Sequence, residues 1–436
     1  MSAQLVARLD ASTESFDAEL EKTLDWQGAT FPDIEQKVAA IVADVRAKGD
    51  QALLRFTKEF DALAADSLDQ LRVDADQLAA AFESLPADQR AALRGAAQRI
   101  RQYHEYQIES SWSYVDRWGN RLGQKITPLQ RVGVYVPGGQ ASYPSSVLMT
   151  LIPARVAGVP ELVVTTPTPR DEVNQMVLGA LHVAGVDEVI RVGGAQAIAA
   201  LAFGTESLSR VDKIVGPGGA FVAEAKRQVF GRVGIDIIAG PSEVLVVADG
   251  STDPEWTAID LFSQAEHDAA AQSILVSTND EFLNRVEASM HSLLPRMQRR
   301  EIIEESLRGR GAFIKAADKQ QACEIANRIA PEHLELHVEH ASDWVDAIHH
   351  AGAIFCGSNT GETFGDYVAG PSHVLPTFGT ARFGSPLGVY DFVKRSSVID
   401  MSSQGVEALA DIAQTLAESE GLQAHGLAAS MRMKQR

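Results

Sequence analysis

Positive charge is scarce in this chain of 436 residues, where 39 Lys and Arg stand against 58 Asp and Glu for a formal net charge of -19. So acidic a surface repels a phosphate backbone at long range, and nucleic acid is not an expected partner. Cysteine is scarcer still. Only Cys323 and Cys356 occur, with no CxxC and no zinc-finger spacing, which excludes a disulfide framework and fits a reducing compartment. No apolar run reaches the ~18 residues of a membrane span, and the start, MSAQLVARLDASTESF, lacks a basic segment followed by a long apolar one. Neither a signal peptide nor a membrane partner is expected, and the expected location is cytoplasmic.

What is present is an ordinary globular composition, 45 % hydrophobic and 22 % charged, in a length that suits about two to four domains. The first part of the chain has helical periodicity. Ile34, Val38, Ile41 and Val45 recur at three- and four-residue intervals, and residues 78 to 106 repeat the pattern. A polar stretch with Gly119, Asn120 and Gly123 interrupts it as a hairpin or loop. From Arg131 the rhythm becomes strand–helix–strand, five strands up to GIDIIAG, and it restarts at SEVLVVAD for five more. Such alternation predicts an α/β fold: two Rossmann-like parallel-sheet units in tandem, with an N-terminal helical region and a small C-terminal helical tail. The expected divisions are an arm over 1–25, a helical region over 26–130 packing on the second α/β unit, the first unit over 131–241, the second over 242–380, and a tail over 381–436. Ligands in such sheets are expected at the carboxyl ends of the strands.

Five segments carry polar residues suited to chemistry. Gly216, Gly218 and Gly219 in GPGGAF sit between a strand and a helix, as do Gly193–Gly194, with Gly138–Gly139 at another strand end. These are places for a phosphate at a helix N-terminus or simply tight turns, and the full GxGxxG is absent. In QAEHD, Gln264 and His267 project from one face near the end of a helix that Asp253 caps and Pro254 begins. A metal site or a solvated helix end fits them. In APEHLEL, Glu332 and His333 open a strand beside a loop, where a carboxylate and an imidazole can divide proton work or be a surface acid and a structural histidine. Asp366 and His373 lie in the glycine- and proline-rich loop GDYVAGPSHVLPT. Glu420 and His425 follow the last amphipathic helix, as a polar tail or as completion of a metal site opened by His267 and Asp366. His349 and His350 read as a solvated helix face, and both cysteines as buried small hydrophobes without a catalytic role.

The order of these segments resembles the histidinol dehydrogenase family over nearly the whole chain. The resemblance rests on YVPGG, VGGAQAIAALAFGTES, VDKIVGPG, FVAEAKRQV, AGPSEVLV, SQAEHD, PEHLEL, GDYVAGPSHVLPT and EGLQAH. It implies NAD-linked oxidation of L-histidinol to L-histidine by way of the aldehyde, with one zinc per subunit. The same resemblance implies Gln264, His267, Asp366 and His425 as zinc ligands and Glu332 and His333 as the acid–base pair. Ser242, His373 and Glu420, with the zinc ligands and His333, would hold the substrate. Tyr135, Gln196 and Gly219 would face the cofactor, on the side of the first α/β unit. It further implies a homodimer with swapped tails, Glu420 and His425 serving the partner's site. One position departs: after GPG the family commonly carries Asn, and this chain has Gly219. FGRVGIDIIAG is also similar to relatives that oxidise sulfonated diols, so a paralogue acting on a sulfonated propanediol is one alternative. A zinc hydrolase in which Glu332 activates a metal-bound water is another.

Overall fold

In the computed structural model, which describes residues 5–25, 32–138, 143–238 and 240–433, the chain forms two six-stranded sheets and one of three strands. Gly139 lies outside the described residues. Strand β1 (Ala7–Asp10) and helix α1 (Phe16–Leu24) come first, then α2 (Pro32–Asp61), β2 (Arg72–Val73), α3 (Ala75–Ser84) and α4 (Ala87–Glu105). Helix α2 is kinked at Gly49, whose φ is +50°. The Glu206 carboxylate accepts from the Asp50 N–H there (2.7 Å) and occupies the space a Cβ would need. β3 (Trp112–Val115) and β4 (Arg121–Pro128) pair antiparallel, and the Asp116 carboxylate accepts the Trp118 and Asn120 amides in the turn between them. The polar interruption is therefore a hairpin.

The first α/β unit runs β5 (Arg131–Tyr135), α5 (Pro144–Val156), β6 (Glu161–Thr165), α6 (Gln175–Ala184), β7 (Glu188–Ile190), α7 (Gly194–Phe203), β8 (Lys213–Val215), α8 (Ala220–Val229) and β9 (Gly234–Ile235). Its sheet order is β2-β7-β6-β5-β8-β9, parallel except for β2. The second unit runs β10 (Glu243–Ala248), α9 (Pro254–Ala265), β11 (Gln272–Ser277), α10 (Asp280–Leu293), α11 (Arg300–Arg310), β12 (Ala312–Lys315), α12 (Lys319–Ile329), β13 (His333–His337), α13 (Ser342–Val345), β14 (Ala353–Cys356) and α14 (Glu362–Tyr367). Its order is β1-β12-β11-β10-β13-β14, parallel throughout. β15 (Val393–Asp400) joins β4 in the small sheet, and α15 (Ser403–Ser419) and α16 (Gln423–Met433) end the chain packed on each other.

The central strands lack polar alternation because helices cover both faces of each large sheet. Val132 to Tyr135, Glu243 to Ala248 and Gln272 to Ser277 are buried without a break. Apolar clusters on the two faces of each sheet form four cores. Phe313, fully buried on β12, belongs to one of them, and truncating it to Ala would cost about 3–5 kcal/mol.

Several expectations need correction. The helical region packs on the first α/β unit, not the second: α2 lies on α7 and α8, α3 on α6, and α4 on α5, while β2 extends the first sheet. The cause is α7, GAQAIAALAF, which is buried on nearly every side and needs an outer layer that α2 supplies. The arm instead joins the second unit, where β1 pairs with β12. His349 and His350 follow α13 in a loop, their amides donating to the Asn327 side chain. Cys323 is buried as expected, but Cys356 is exposed, because β14 is an edge strand with one side uncovered. Among the described residues no helix is long and apolar enough to cross a membrane.

Candidate active site

Helix α12 ends on Ala330 in the left-handed region (φ +51°), which turns Pro331 and Glu332 sharply into β13. Gly352 lies against the Glu332 carbonyl, where any Cβ would sit 2.5 Å from the oxygen. β13 then presents alternate residues to one side: Leu334 and Leu336 enter the core beneath α12, while His333, Glu335 and His337 face α9. Helix α9 answers with Thr257, Asp260 and Gln264, three and four residues apart and so on a single stripe. The Gln264 amide nitrogen lies 3.2 Å from His333 Nδ1, Asp260 Oδ2 lies 3.5 Å from His337 Nε2, and Thr257 Oγ1 lies 3.0 Å from His337 Nδ1.

The catalytic pair expected at Glu332 and His333 is buried at the start of β13. The Glu243 N–H donates to Glu332 Oε2 (2.9 Å), and the Glu243 carbonyl lies 3.0 Å from His333 Nδ1. A carbonyl only accepts, so the neutral ring carries its proton on Nδ1 and keeps the Nε2 lone pair free. His333 Nε2 has no hydrogen-bond partner and lies 3.8 Å from Asp366 Oδ1. His373 Nδ1 is 3.8 Å from that same oxygen, and its Nε2 is 3.1 Å from the Ser146 hydroxyl on α5. Burial sets the proton affinities. It pushes Glu332 well above the usual carboxylate range, against the Glu243 amide and with the charges of Glu243 and Asp366 adding to it. It pulls His333 and His373 below an ordinary histidine, with Asp366 opposing in both.

Asp366 lies in the short helix α14 rather than in an open loop, one turn beyond Glu362. Glu362 is a residue that sequence reasoning missed. It is almost fully buried, with Oε1 3.8 Å from His333 Nδ1, and burial followed by Asp366 and Glu335 raises its carboxyl well above the usual range. The ETFGD spacing, acids four apart, is the signal that marks it. His267 is exposed in the turn after α9, near enough to His373 to lower its proton affinity. Ser242 is part-buried just before β10, beside the Glu243 amide that holds Glu332. Glu420 and His425 are exposed at the end of α15 and on α16. Among the described residues two groups of His, Asp and Glu converge tightly, His333–Glu362–Asp366 and Asp260–Glu335–His337, and neither includes His267 or His425.

The remaining expected residues line the carboxyl edge of the first sheet. Tyr135 ends β5 and its hydroxyl accepts from the Gly194 N–H (3.2 Å); burial pushes its pKa up to about 12. Gln196, on the first turn of α7, is buried with its Oε1 unpartnered. Gly219 caps α8 with open space where a Cβ would stand. The preceding GPGG turn is pinned by a buried pair that sequence reasoning also missed. Lys226 donates to the Gly216 carbonyl and pairs with Asp236, whose other oxygen accepts the Gly216 amide. A cavity of about 370 Å³ opens along the same edge, between Gly138, Thr166, Asn174 and Arg191.

The residues expected to face the cofactor therefore lie at the carboxyl edge of the first sheet, whereas the expected catalytic pair lies at the amino edge of the second. His333 stands at the amino end of β13, because α9 and α14 run back along the strands and return Gln264 and Asp366 to that edge. The Ser146–His373 contact joins the two edges.

Residues 26–433 match the family described as Histidinol dehydrogenase. The chain belongs to the histidinol dehydrogenase family. It is 56 % identical over 429 residues to the histidinol dehydrogenase of Dechloromonas aromatica (strain RCB), covering 98 % of this chain and 99 % of that one. With the histidinol dehydrogenase of Pseudomonas putida it shares 57 % over 428 residues, 98 % and 97 % of the two lengths. The crystal structure of histidinol dehydrogenase from Elizabethkingia anophelis superposes with a TM-score of 0.94 at 32 % identity, covering 100 % of this chain and 99 % of the other. The two tandem parallel-sheet units are thus the family's fold. The family uses NAD and zinc, and the residues present suit a zinc ion. Gln264 Oε1 is buried without a partner, and Asp366 Oδ1 stands 3.8 Å from both His333 and His373, oxygen donors of the kind a zinc ion takes beside histidine nitrogen.

Proposed function

We propose that this chain oxidises L-histidinol to L-histidine in two NAD-dependent steps by way of L-histidinaldehyde, the last step of histidine biosynthesis. One observation carries the reading most directly: His333 Nδ1 lies 3.0 Å from the Glu243 carbonyl while Nε2 has no partner, which suits a neutral Nε2 base beside the buried carboxyl of Glu332. In the first oxidation the carbinol C–H hydride passes to NAD and His333 Nε2 takes the hydroxyl proton. Water then adds to the aldehyde: Glu332 in its ionised form takes a proton from that water while His333 returns its proton to the carbonyl oxygen, which gives the hydrate and restores the neutral ring. The second hydride leaves the hydrate carbon for a second NAD while His333 takes one hydroxyl proton, giving the carboxylic acid, which ionises to the carboxylate by losing its proton to solvent.

Gln264, His267 and Asp366, with the partner subunit's His425, are the proposed zinc ligands. When bound, the ion would serve as a template for the substrate's imidazole and amino nitrogens. Ser242, His373 and the partner subunit's Glu420 complete the substrate pocket. Tyr135, Gln196 and Gly219 would hold the nicotinamide cofactor, which would supply the hydride acceptor. The homodimer reading is supported by the tail, where Ile399, Ile412, Leu416, Leu427 and Met431 are exposed.

Identity of 56–57 % with curated histidinol dehydrogenases favours histidinol over a sulfonated diol. A hydrolase would leave the Tyr135–Gln196–Gly219 edge without a use. The deciding assay follows NADH formation with L-histidinol, with and without a zinc chelator. The expected result is two NADH for each histidine formed, abolished by the chelator; no NADH from histidinol would overturn the reading.

A further inference from the structure

The polar row of β13 continues past the catalytic histidine. His337, about 13 Å along the strand from His333, is fully buried, as is Glu335 between them. Glu335 Oε2 and His337 Nε2 face each other at 3.2 Å without a formed hydrogen bond, and Asp260 Oδ2 stands 3.5 Å from His337 Nε2. All three donor atoms lie within 4.8 Å of one another. A charge-assisted hydrogen bond draws such atoms to about 2.7–2.9 Å. Ligands held about 2.0–2.2 Å from a tetrahedral ion stand about 3.3–3.6 Å apart. The observed spacing suits the second case.

The surroundings are those of ligands oriented from behind. Thr257 Oγ1, 3.0 Å from His337 Nδ1, accepts its proton in the tautomer that leaves the Nε2 lone pair aimed into the cluster. Glu335 Oε1 accepts the Glu362 N–H (2.6 Å), which leaves Oε2 for the cluster. Gly361 lies over Asp260, where a Cβ would come within 3.0 Å of Oδ1. Two carboxylates, one of them wholly buried, are costly to hold ionised unless a cation compensates them, and among the described residues the ion pairs formed by Asp260 and Glu335 are with His337 alone. Asp260 is the least buried member, its side chain 18 % accessible, and gives a path in from solvent.

We propose that Asp260, Glu335 and His337 form a second site for a divalent transition cation such as zinc, separate from the catalytic centre, with water in its fourth position. The ion clamps α9 to β13 and so holds the stripe that carries Gln264 against the row that carries His333. It takes part in no chemical step.

The test counts metal in the full-length protein and does not read histidinol turnover, so it stands apart from the proposed activity. Protein dialysed against micromolar zinc and then desalted is expected to carry about two equivalents per chain by mass spectrometry of the metal. A His267→Ala/His425→Ala variant, altered only at exposed positions, is expected to retain about one. His337→Gln in that background should lose it, and so should Asp260→Asn, a substitution of the same shape. The zinc-dependent rise in Tm of the double variant should vanish with either change. A double variant that holds no zinc, or a loss of none on adding His337→Gln or Asp260→Asn, overturns the proposal.

Discussion

Ser146, on the first turn of α5 in the first α/β unit, meets His373, from the loop after α14, with 3.1 Å between the hydroxyl and Nε2. The imidazole of a proposed substrate-binding histidine is thereby fixed at the boundary with the cofactor edge. Ser146→Ala would leave a buried nitrogen without its partner, at about 1–3 kcal/mol. The expected consequence is a KM for histidinol raised roughly tenfold or more with a smaller change in kcat. Steady-state kinetics at saturating NAD measure it, and an unchanged KM would refute the positioning role.

His333 is a base whose burial favours the neutral ring. Its charged form appears only below the usual histidine value of 6.5, so the acid limb of kcat/KM for histidinol should lie on the acid side of that pH. Replacement by Ala should lower the rate by roughly 10²–10⁴-fold and remove that limb. A limb that survives the substitution belongs to another group.

Glu243 gives a stability prediction independent of catalysis. Its carboxyl is buried and pushed up to about 7, by burial first and against the Phe378 amide that donates to it. A carboxyl whose folded pKa exceeds its unfolded value of 4.5 contributes stability that is complete below 4.5. That contribution is lost as pH rises through about 7. On the order of 3 kcal/mol is at stake. Urea midpoints of the wild-type chain should therefore fall between pH 5 and 8 more steeply than those of Glu243→Gln. Parallel pH profiles would show that the group is not the cause.

Much of this was legible in the chain itself, for identifiable reasons. Strand and helix periods announced both α/β units, since buried parallel strands are continuous apolar runs and the helices between them are of ordinary length. Glu332 and His333 were a weak local signal, a surface acid and a structural histidine fitting equally, and drew their weight from the order of the segments around them. Periodicity, however, shows which face of a helix is buried and not what covers it, so the partner of α2 to α4 was misplaced. Glu362 escaped notice because only the return of α14 along β14 brings it to His333. Thr257, Asp260 and His337 escaped for the same reason: the stripe and the row become one feature only when α9 lies on β13.

The tail predicts complementation between chains. If Glu420 and His425 serve the partner's site, a His333→Ala chain and a His425→Ala chain are each inactive alone. Mixed after dissociation, half the dimers pair one of each, and one of the two sites in such a dimer is intact. Recovery of roughly a quarter of wild-type activity is expected. No recovery would place the tail in its own chain's site.

Gly219 is the position where the resemblance implies Asn, and its surroundings leave room for that residue. Its backbone, φ -65° and ψ 178°, is ordinary for an N-cap, and a Cβ there meets nothing within 4 Å. Gly219→Asn would thus enter without strain and gain only a few tenths of a kcal/mol as a cap. Its side chain would add an amide at the N-terminus of α8, on the edge that holds Tyr135 and Gln196. The expected outcome is a KM for NAD lowered several-fold, about 1 kcal/mol for one added neutral hydrogen bond, with kcat and the KM for histidinol unchanged. A KM for NAD that does not move would mean that the cofactor does not reach the α8 turn, leaving Tyr135 and Gln196 to define its position.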